Sequence, residues 1–146
     1  GRGIPLSKVE DCVSKINTGG KYDSSAFKKS VGLNGVGTKA VNALSEIFDI
    51  ESIRNNEGIK LRYSKGIKLN EENITNTSSR NGTKVKFTPD NDIFKKYRFI
   101  DEYVENQILY YVYLNSGLVI NYNNQKYASE GGLKDLLIKN TENQKN

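Results

Sequence analysis

No histidine occurs among the 146 residues, and tryptophan and methionine are also missing. Without histidine, Ser-His and Cys-His nucleophile pairs are excluded, as are histidine-based metal sites. The single cysteine, Cys12, excludes an internal disulfide and any cysteine-based zinc cluster. It fits a reducing compartment, and the expected location is the cytoplasm. No apolar run approaches the roughly 18 residues that span a bilayer, so no membrane partner is expected. The opening segment, Gly1-Arg2-Gly3-Ile4-Pro5, has no apolar signal core and no initiator Met. It reads as a cut made inside a domain.

What is present reads as globular. Hydrophobic residues make up 36% and charged residues 27%, without excess Gly or Pro, which separates the chain from disordered and fibrous classes. Its length suits one compact domain. The formal charge of +5 favours polyanionic partners. Because Lys and Arg are scattered along the chain, a solvated basic surface accounts for the same charge.

The spacing of Leu6, Val9, Val13 and Ile16 predicts an amphipathic helix over Pro5–Asn17. Thr18–Ser30 is polar and reads as a loop. A glycine cluster at residues 32–37 leads into a second helix, with its pattern carried by Ala40, Val41 and Leu44. The period then changes to two. A first strand runs from Phe48 and Ile50 towards Arg54, Asn55–Gly58 turns it back, and Ile59, Leu61 and Tyr63 alternate with polar residues in a second. A short strand is expected near Ile67 and Leu69, and another over Thr83–Thr88 before Pro89. A long helix carries Ile100, Tyr103, Val104, Ile108, Tyr111, Val112 and Leu114, with Gly117 as its stop. A hairpin about Asn123-Asn124 and a short helix over Leu133–Ile138 follow, then a polar tail over residues 141–146. Strands joined by short turns, with helices gathered at both ends, predict an α+β two-layer sandwich. Its sheet is expected to be mixed and mostly antiparallel, with helices on one face.

Four segments could carry chemistry. Gly32-Leu33-Asn34-Gly35-Val36-Gly37 opens a helix. Its glycines permit close backbone approach and positive φ, and free N–H groups at a helix start suit phosphate. Glycines closing a tight loop explain the pattern as well. No Lys-Ser or Lys-Thr follows Gly37 in register, so it is not a Walker loop. A polar segment, not a buried strand, precedes Gly32, which argues against a dinucleotide fingerprint. Gly1-Arg2-Gly3-Ile4-Pro5 makes a tight turn whose Arg2 could stack on a base, or an ordinary turn with a surface Arg. Thr18-Gly19-Gly20-Lys21 could set a mobile ammonium on a phosphate, or be a solvated loop. Gly82-Thr83 places a hydroxyl at a strand start, for a ligand or for cross-strand pairing.

In this order, these segments resemble the GHKL-type ATPase domain of bacterial type IIA DNA topoisomerase B subunits, those of gyrase and topoisomerase IV. The resemblance rests on GRGIP, TGGKY, FKKSVGLNGVGTKAVNALS, NGTKVKFTPD, YLNSGLVI and SEGGLKDLL, and covers residues 1–140, the expected C-terminal two-thirds of such a domain. GLNGVGTKAVNALS distinguishes it from histidine kinases, MutL and heat-shock chaperones, which share only the glycine skeleton. The resemblance implies an α/β sandwich with ATP between helices and sheet. It implies that Gly1 and Gly3 turn under the adenine, with Arg2, Ile4 and Pro5 lining the pocket there. Lys21 then reaches the terminal phosphate. Gly32, Leu33, Asn34, Gly35, Val36 and Gly37 wrap the phosphates as a lid. Thr83 bonds on the adenine side, and Arg54 stands at the pocket rim.

Two departures bear on activity. Asn34 stands where the B subunits of gyrase often have His, yet still offers a donor and an acceptor. The family's adenine-binding Asp, general-base Glu and magnesium-holding Asn lie upstream of the GRG turn, so Mg2+ is expected to be held by residues preceding this chain. Glu10 and Asp11 read as solvated residues of the first helix. No catalytic residue and no metal ligand is therefore expected within the chain, and no ATP turnover by it alone. In the parent enzyme the implied partners are a second B subunit in a homodimer, an A subunit in a heterotetramer, and DNA. The alternatives are a non-catalytic nucleotide-binding or interaction module, and a basic nucleic-acid-binding domain. The nine Tyr and five Phe fall mostly at core spacing and read as packing.

Overall fold

The computed structural model describes residues 1–16 and 35–143. They gather into two compact units, Gly1–Tyr97 and Arg98–Asn146, where the sequence suggests one domain running to residue 140.

The first unit is built on a four-stranded sheet of order β3-β2-β1-β4. Its strands are β1 (Ser45–Arg54), β2 (Glu57–Ser64), β3 (Ile67–Ile74) and β4 (Gly82–Pro89). Each of its pairings is antiparallel. The alternating sequence dictates the two faces. Phe48 lies between Tyr63 and Phe87, Ile50 between Leu61 and Val85, and Ser52 between Ile59 and Thr83. That row meets a helical layer. The intervening positions are charged: Asp49 lies between Arg62 and Lys86, and Glu51 between Lys60 and Lys84. They make a face that suits water. Across it, the Arg62 guanidinium grips the Asp49 carboxylate with two hydrogen bonds, 2.6 and 2.9 Å, and holds its pKa below the usual carboxylate range.

The hairpins turn where sequence permits left-handed backbone. Asn55 and Asn56, at φ +54° and +66°, join β1 to β2, and Lys65 and Gly66, at +50° and +80°, join β2 to β3. Two positive-φ residues match the right-handed twist of the flanking strands. β3 runs well past the short strand expected. It is an edge strand, so its polar residues need no core face.

A 3-10 turn (Leu6–Lys8) runs into α1 (Val9–Ser14), shorter than the helix expected to Asn17; Lys15 is already extended. Val9 and Val13 enter the core with Phe48, Ile50, Leu61 and Tyr63, and Ile4, Cys12 and Ile59 pack around it. Phe48 and Tyr63 meet edge to face at 6.3 Å between ring centres. α2 (Gly37–Ala43) packs beside α1 and over the sheet. Its buried residues are Lys39 and Asn42, whereas Ala40, Val41 and Leu44, the expected apolar stripe, are exposed among the described residues. The reason is a hydrogen bond: the Asn42 amide reaches the Val13 carbonyl at the end of α1, which turns the polar side of α2 inward.

A short helix not foreseen from sequence, α3 (Asn91–Phe94), is capped by Asp90, whose Oδ1 accepts from the Asp92 N–H at 2.9 Å. Lys65 joins the same corner, 3.0 Å from Asp90 and 2.9 Å from Asp92.

In the second unit, α4 (Asp101–Leu114) lies against the hairpin of β5 (Val119–Tyr122) and β6 (Gln125–Ala128). Asn123 and Asn124 turn that hairpin at φ +46° and +64°. Ile108 and Val112 are buried, and the Tyr122 hydroxyl donates to Asp101 Oδ1 at 2.5 Å. α5 (Leu133–Asn143) extends beyond Ile138 into the polar segment expected to be a tail. Asp135 steadies its start by accepting from Ser129 Oγ and the Gly131 N–H.

Candidate functional site

Gly3 is the residue from which a site can be built. Its φ is +75°, and a Cβ there would collide with the Ile53 carbonyl oxygen and stand 3.3 Å from that of Gly82. Only glycine fits so close to the ends of β1 and β4. The next residue is clamped from both sides. The Ile4 N–H donates to Thr83 Oγ1 at 3.3 Å, and the Ile4 carbonyl accepts from Ser52 Oγ at 2.9 Å. Pro5, at φ −52°, leads into the 3-10 turn. Gly1 and Arg2 are exposed beside this fixed point.

Arg54 closes β1 opposite Glu57, one residue beyond Ile53, whose partner on β4 is Gly82. The following Asn55 N–H donates to Asn81 Oδ1 at 3.0 Å. Gly3 and Ile4 thus meet Ser52, Ile53 and Thr83, from segments far apart in sequence, at one end of the sheet, and Arg54 is the next residue along β1.

Gly35, Val36 and Gly37 lead into α2. Gly35 has φ +57°, and Val36 and Gly37 are exposed, with no heavy atom within 4 Å of a Cβ built on Gly37. With seven residues, α2 is too short for a strong macrodipole. This segment connects to the Gly3 turn through the helices, since α1 follows the first, α2 follows the second, and Asn42 bonds Val13. Lys21, Gly32, Leu33 and Asn34 lie outside the described residues, as does the loop expected over Thr18–Ser30.

The acidic residues of the first helix are engaged in ion pairs. Glu10 lies 3.1 Å from Lys68, and Asp11 lies 2.7 Å from Lys15. The Lys15 ammonium holds the Asp11 carboxyl below its ordinary pKa, which makes it a weaker base. Among the described residues no group of three or more potential ligands is arranged for a metal, and no helix is long and apolar enough to cross a membrane. A cavity of about 210 Å³ between α4 and α5 is lined by second-unit residues, including Tyr110, Tyr113 and Lys139, and by none of the candidate residues.

Sequence reasoning passed over Ser52 and Asn42. Both are polar residues among apolar ones, and both are buried and bond a backbone carbonyl. Ser52 had a signal, since it continues the inward row of Phe48 and Ile50.

Comparisons with known proteins bear on the chain and its fold. The chain is 50% identical over 137 residues, 94% of its length, to the B subunit of DNA topoisomerase 4 from Borreliella burgdorferi. It is 33% identical over 162 aligned positions, covering all of the chain, to the B subunit of DNA gyrase from Borrelia hermsii. It spans 23% and 26% of those relatives, about a quarter of their length. Among solved structures it resembles the ATP-binding domain of Francisella tularensis topoisomerase IV in complex with a small-molecule inhibitor. The TM-score is 0.74 at 26% identity, covering 96% of this chain and 41% of that one. The 43K ATPase domain of Thermus thermophilus gyrase B, in complex with an aminocoumarin, shares the fold with a TM-score of 0.74 at 24% identity, over 95% of this chain and 38% of that one. No family model matches the chain.

Proposed function

Because the chain belongs to the B-subunit family of bacterial type IIA DNA topoisomerases, as part of the ATPase domain, we propose that its two glycine segments hold ATP. The observation that carries this reading is the Gly3 turn, a backbone cradle that any Cβ would fill, pinned to Thr83 and Ser52. A flat base needs such a floor, because a side chain would stand in its place. Gly1 to Pro5 forms that floor, with Arg2 and Pro5 at its edge. Thr83 offers a hydroxyl on the adenine side, and Arg54 stands at the rim. On the phosphate side, Val36 and Gly37 are exposed and Gly35 is half-buried beside them, and Gly32, Leu33, Asn34 and Lys21 are assigned there from sequence.

Bound ATP supplies the differential contacts that favour a closed over an open arrangement of the protein. The described residues are assigned to binding and orienting, and activation of water is assigned to none of them. The acidic residues of α1 are paired with lysines and there is no histidine, so a general base within hydrogen-bond reach of an attacking water is not found in them. No residue of this chain is assigned to magnesium. In the parent protein, nucleotide binding closes a homodimer of B subunits on DNA. That protein works with an A subunit in the cytoplasm, and Mg2+ is held by residues outside this chain.

Titration with a non-hydrolysable ATP analogue tests the reading. The analogue is expected to raise the melting temperature, by an amount equivalent to about 2.7 kcal/mol at a hundredfold excess over its Kd. ATP is expected to bind without phosphate release above a protein-free blank. An unchanged melting temperature at millimolar analogue would sink the proposal. Strong, salt-sensitive DNA binding with no nucleotide response would favour a basic nucleic-acid module instead.

A further inference from the structure

The two glycine segments do not end in loops. Gly1–Pro5 runs into the Leu6–Lys8 turn and α1, and Gly35–Val36 runs into α2. One buried side chain ties the second helix to the first. Asn42 is 1% exposed, and its Nδ2 donates to the Val13 carbonyl at 3.0 Å. That carbonyl sits in the last turn of α1, among those a helix leaves without an internal partner. Turning or sliding α2 would strand both the amide and the carbonyl in the core, so the bond disfavours other placements of the helix.

The two ends of α2 differ. At the C-terminal end, the Leu44 carbonyl accepts from the Asp90 N–H at 3.0 Å, and the Ser45 carbonyl from the Lys65 N–H at 2.7 Å. At the glycine end, Val36 and Gly37 are exposed. Asn42 lies five residues beyond Gly37, roughly 7 Å along the helix. It is where the anchored end of α2 meets the helix that continues the Gly3 turn.

We propose that Asn42 is a positioning residue. By holding α2 on α1 it sets the spacing between the Gly3 turn and the Gly35–Gly37 segment, so that one ligand spans both. The inference rests on the nucleotide reading above and deepens it. A ligand bridging two segments gains from the second contact only if their separation is fixed beforehand.

The test uses the whole chain and the variants Asn42→Asp, which keeps shape and as a carboxylate loses the donor, and Asn42→Ala. Affinities for adenosine and for a non-hydrolysable ATP analogue are measured by calorimetry, at a temperature where circular dichroism shows folded protein. The wild type is expected to bind the analogue more tightly than adenosine. The variants are expected to lose at least tenfold of that advantage while adenosine affinity stays within twofold. Without ligand, amides of residues 40–44, which are bonded within the helix, are expected to exchange hydrogen at least tenfold faster in the variants, with those of β1 and β2 unchanged. A merely structural role would weaken both ligands in parallel, and that outcome, or no change in either, overturns the proposal. If the wild type binds neither ligand, the nucleotide reading fails, and exchange decides the placement of α2. Unaltered exchange at residues 40–44 then overturns the role of Asn42, and faster exchange confined to them supports it. Should Asn42→Ala fail to fold, Asn42→Asp is read by the same criteria, and its failure to fold as well overturns a role confined to positioning.

Discussion

At Gly3, a missing side chain matters more than any present one. Its φ of +75° costs an L-residue roughly 1–2 kcal/mol before any contact is considered. A methyl group would also strike the Ile53 carbonyl oxygen, which is sheet backbone and cannot swing aside. Gly3→Ala is therefore expected to destabilise the first unit by more than about 2 kcal/mol in urea unfolding. It is also expected to abolish analogue binding under conditions where the variant remains folded. A variant that binds like wild type would show that the turn is not the floor of the pocket. Asp90 is a residue-scale feature of another kind. Its carboxyl pKa is held below the ordinary range first by the Asp92 N–H and then by the Lys65 ammonium. A depressed folded-state pKa contributes stability that is complete above the ordinary carboxylate range, near 4, and is lost as pH falls through the lower folded value. Asp90→Asn should lower the urea midpoint at pH 7, and the difference from wild type should shrink on acidification below about pH 4. A gap that stays constant down to pH 2 would show that the charge of Asp90 contributes nothing.

Elements were legible where the solvent on their two sides differs. β1, β2 and β4 could be read because Phe48, Ile50, Leu61 and Tyr63 alternate with charged residues, and one face of the sheet is wet. Phe48 is fully buried at the centre of that row, so Phe48→Ala should cost about 3–5 kcal/mol in denaturant unfolding. Val85 occupies the same face on edge strand β4 but is 46% exposed, and Val85→Ala should cost much less. Comparable losses at the two positions would contradict the placement of the core. The β1–β2 turn was equally readable, from Asn55-Asn56 followed by Glu57-Gly58. Because Asn56 has φ +66°, Asn56→Gly should leave stability unchanged or raise it slightly, whereas Asn56→Val should lower it by about 1–2 kcal/mol. The face of α2 was not readable. Hydrophobicity points to Val41 and Leu44, but the partner that draws Asn42 inward is a backbone carbonyl of another helix, and a carbonyl leaves no mark in sequence. α3, at four residues, is shorter than the window in which helical periodicity can be counted. The Gly3 turn was found through its glycines, but the hydroxyls that hold Ile4, those of Ser52 and Thr83, come from strands 48 and 79 residues away. Only Thr83 carried a motif that marked it.

For the molecule as a whole, the division into two units makes the nucleotide reading spatially specific. Every candidate residue that is described lies in Gly1–Tyr97, and none lies in Arg98–Asn146. The cavity between α4 and α5 belongs to the second unit alone, and so offers a rival location for a ligand. Equilibrium binding protects most strongly the amides whose opening it opposes, so the pattern of protection locates the site independently of affinity. With a saturating ATP analogue, slowed hydrogen exchange is expected at Gly3 and Ile4, at the facing ends of β1 and β4, and at residues 35–40. The amides of α4 and α5 should exchange as in the free protein. The charged sheet face offers a control, since an anion held only by the net charge of +5 would protect little and would be displaced by salt. Protection centred on Leu109–Tyr113 and Leu136–Asn140 would move the ligand to the second unit, and the glycine segments would then have no claim on it.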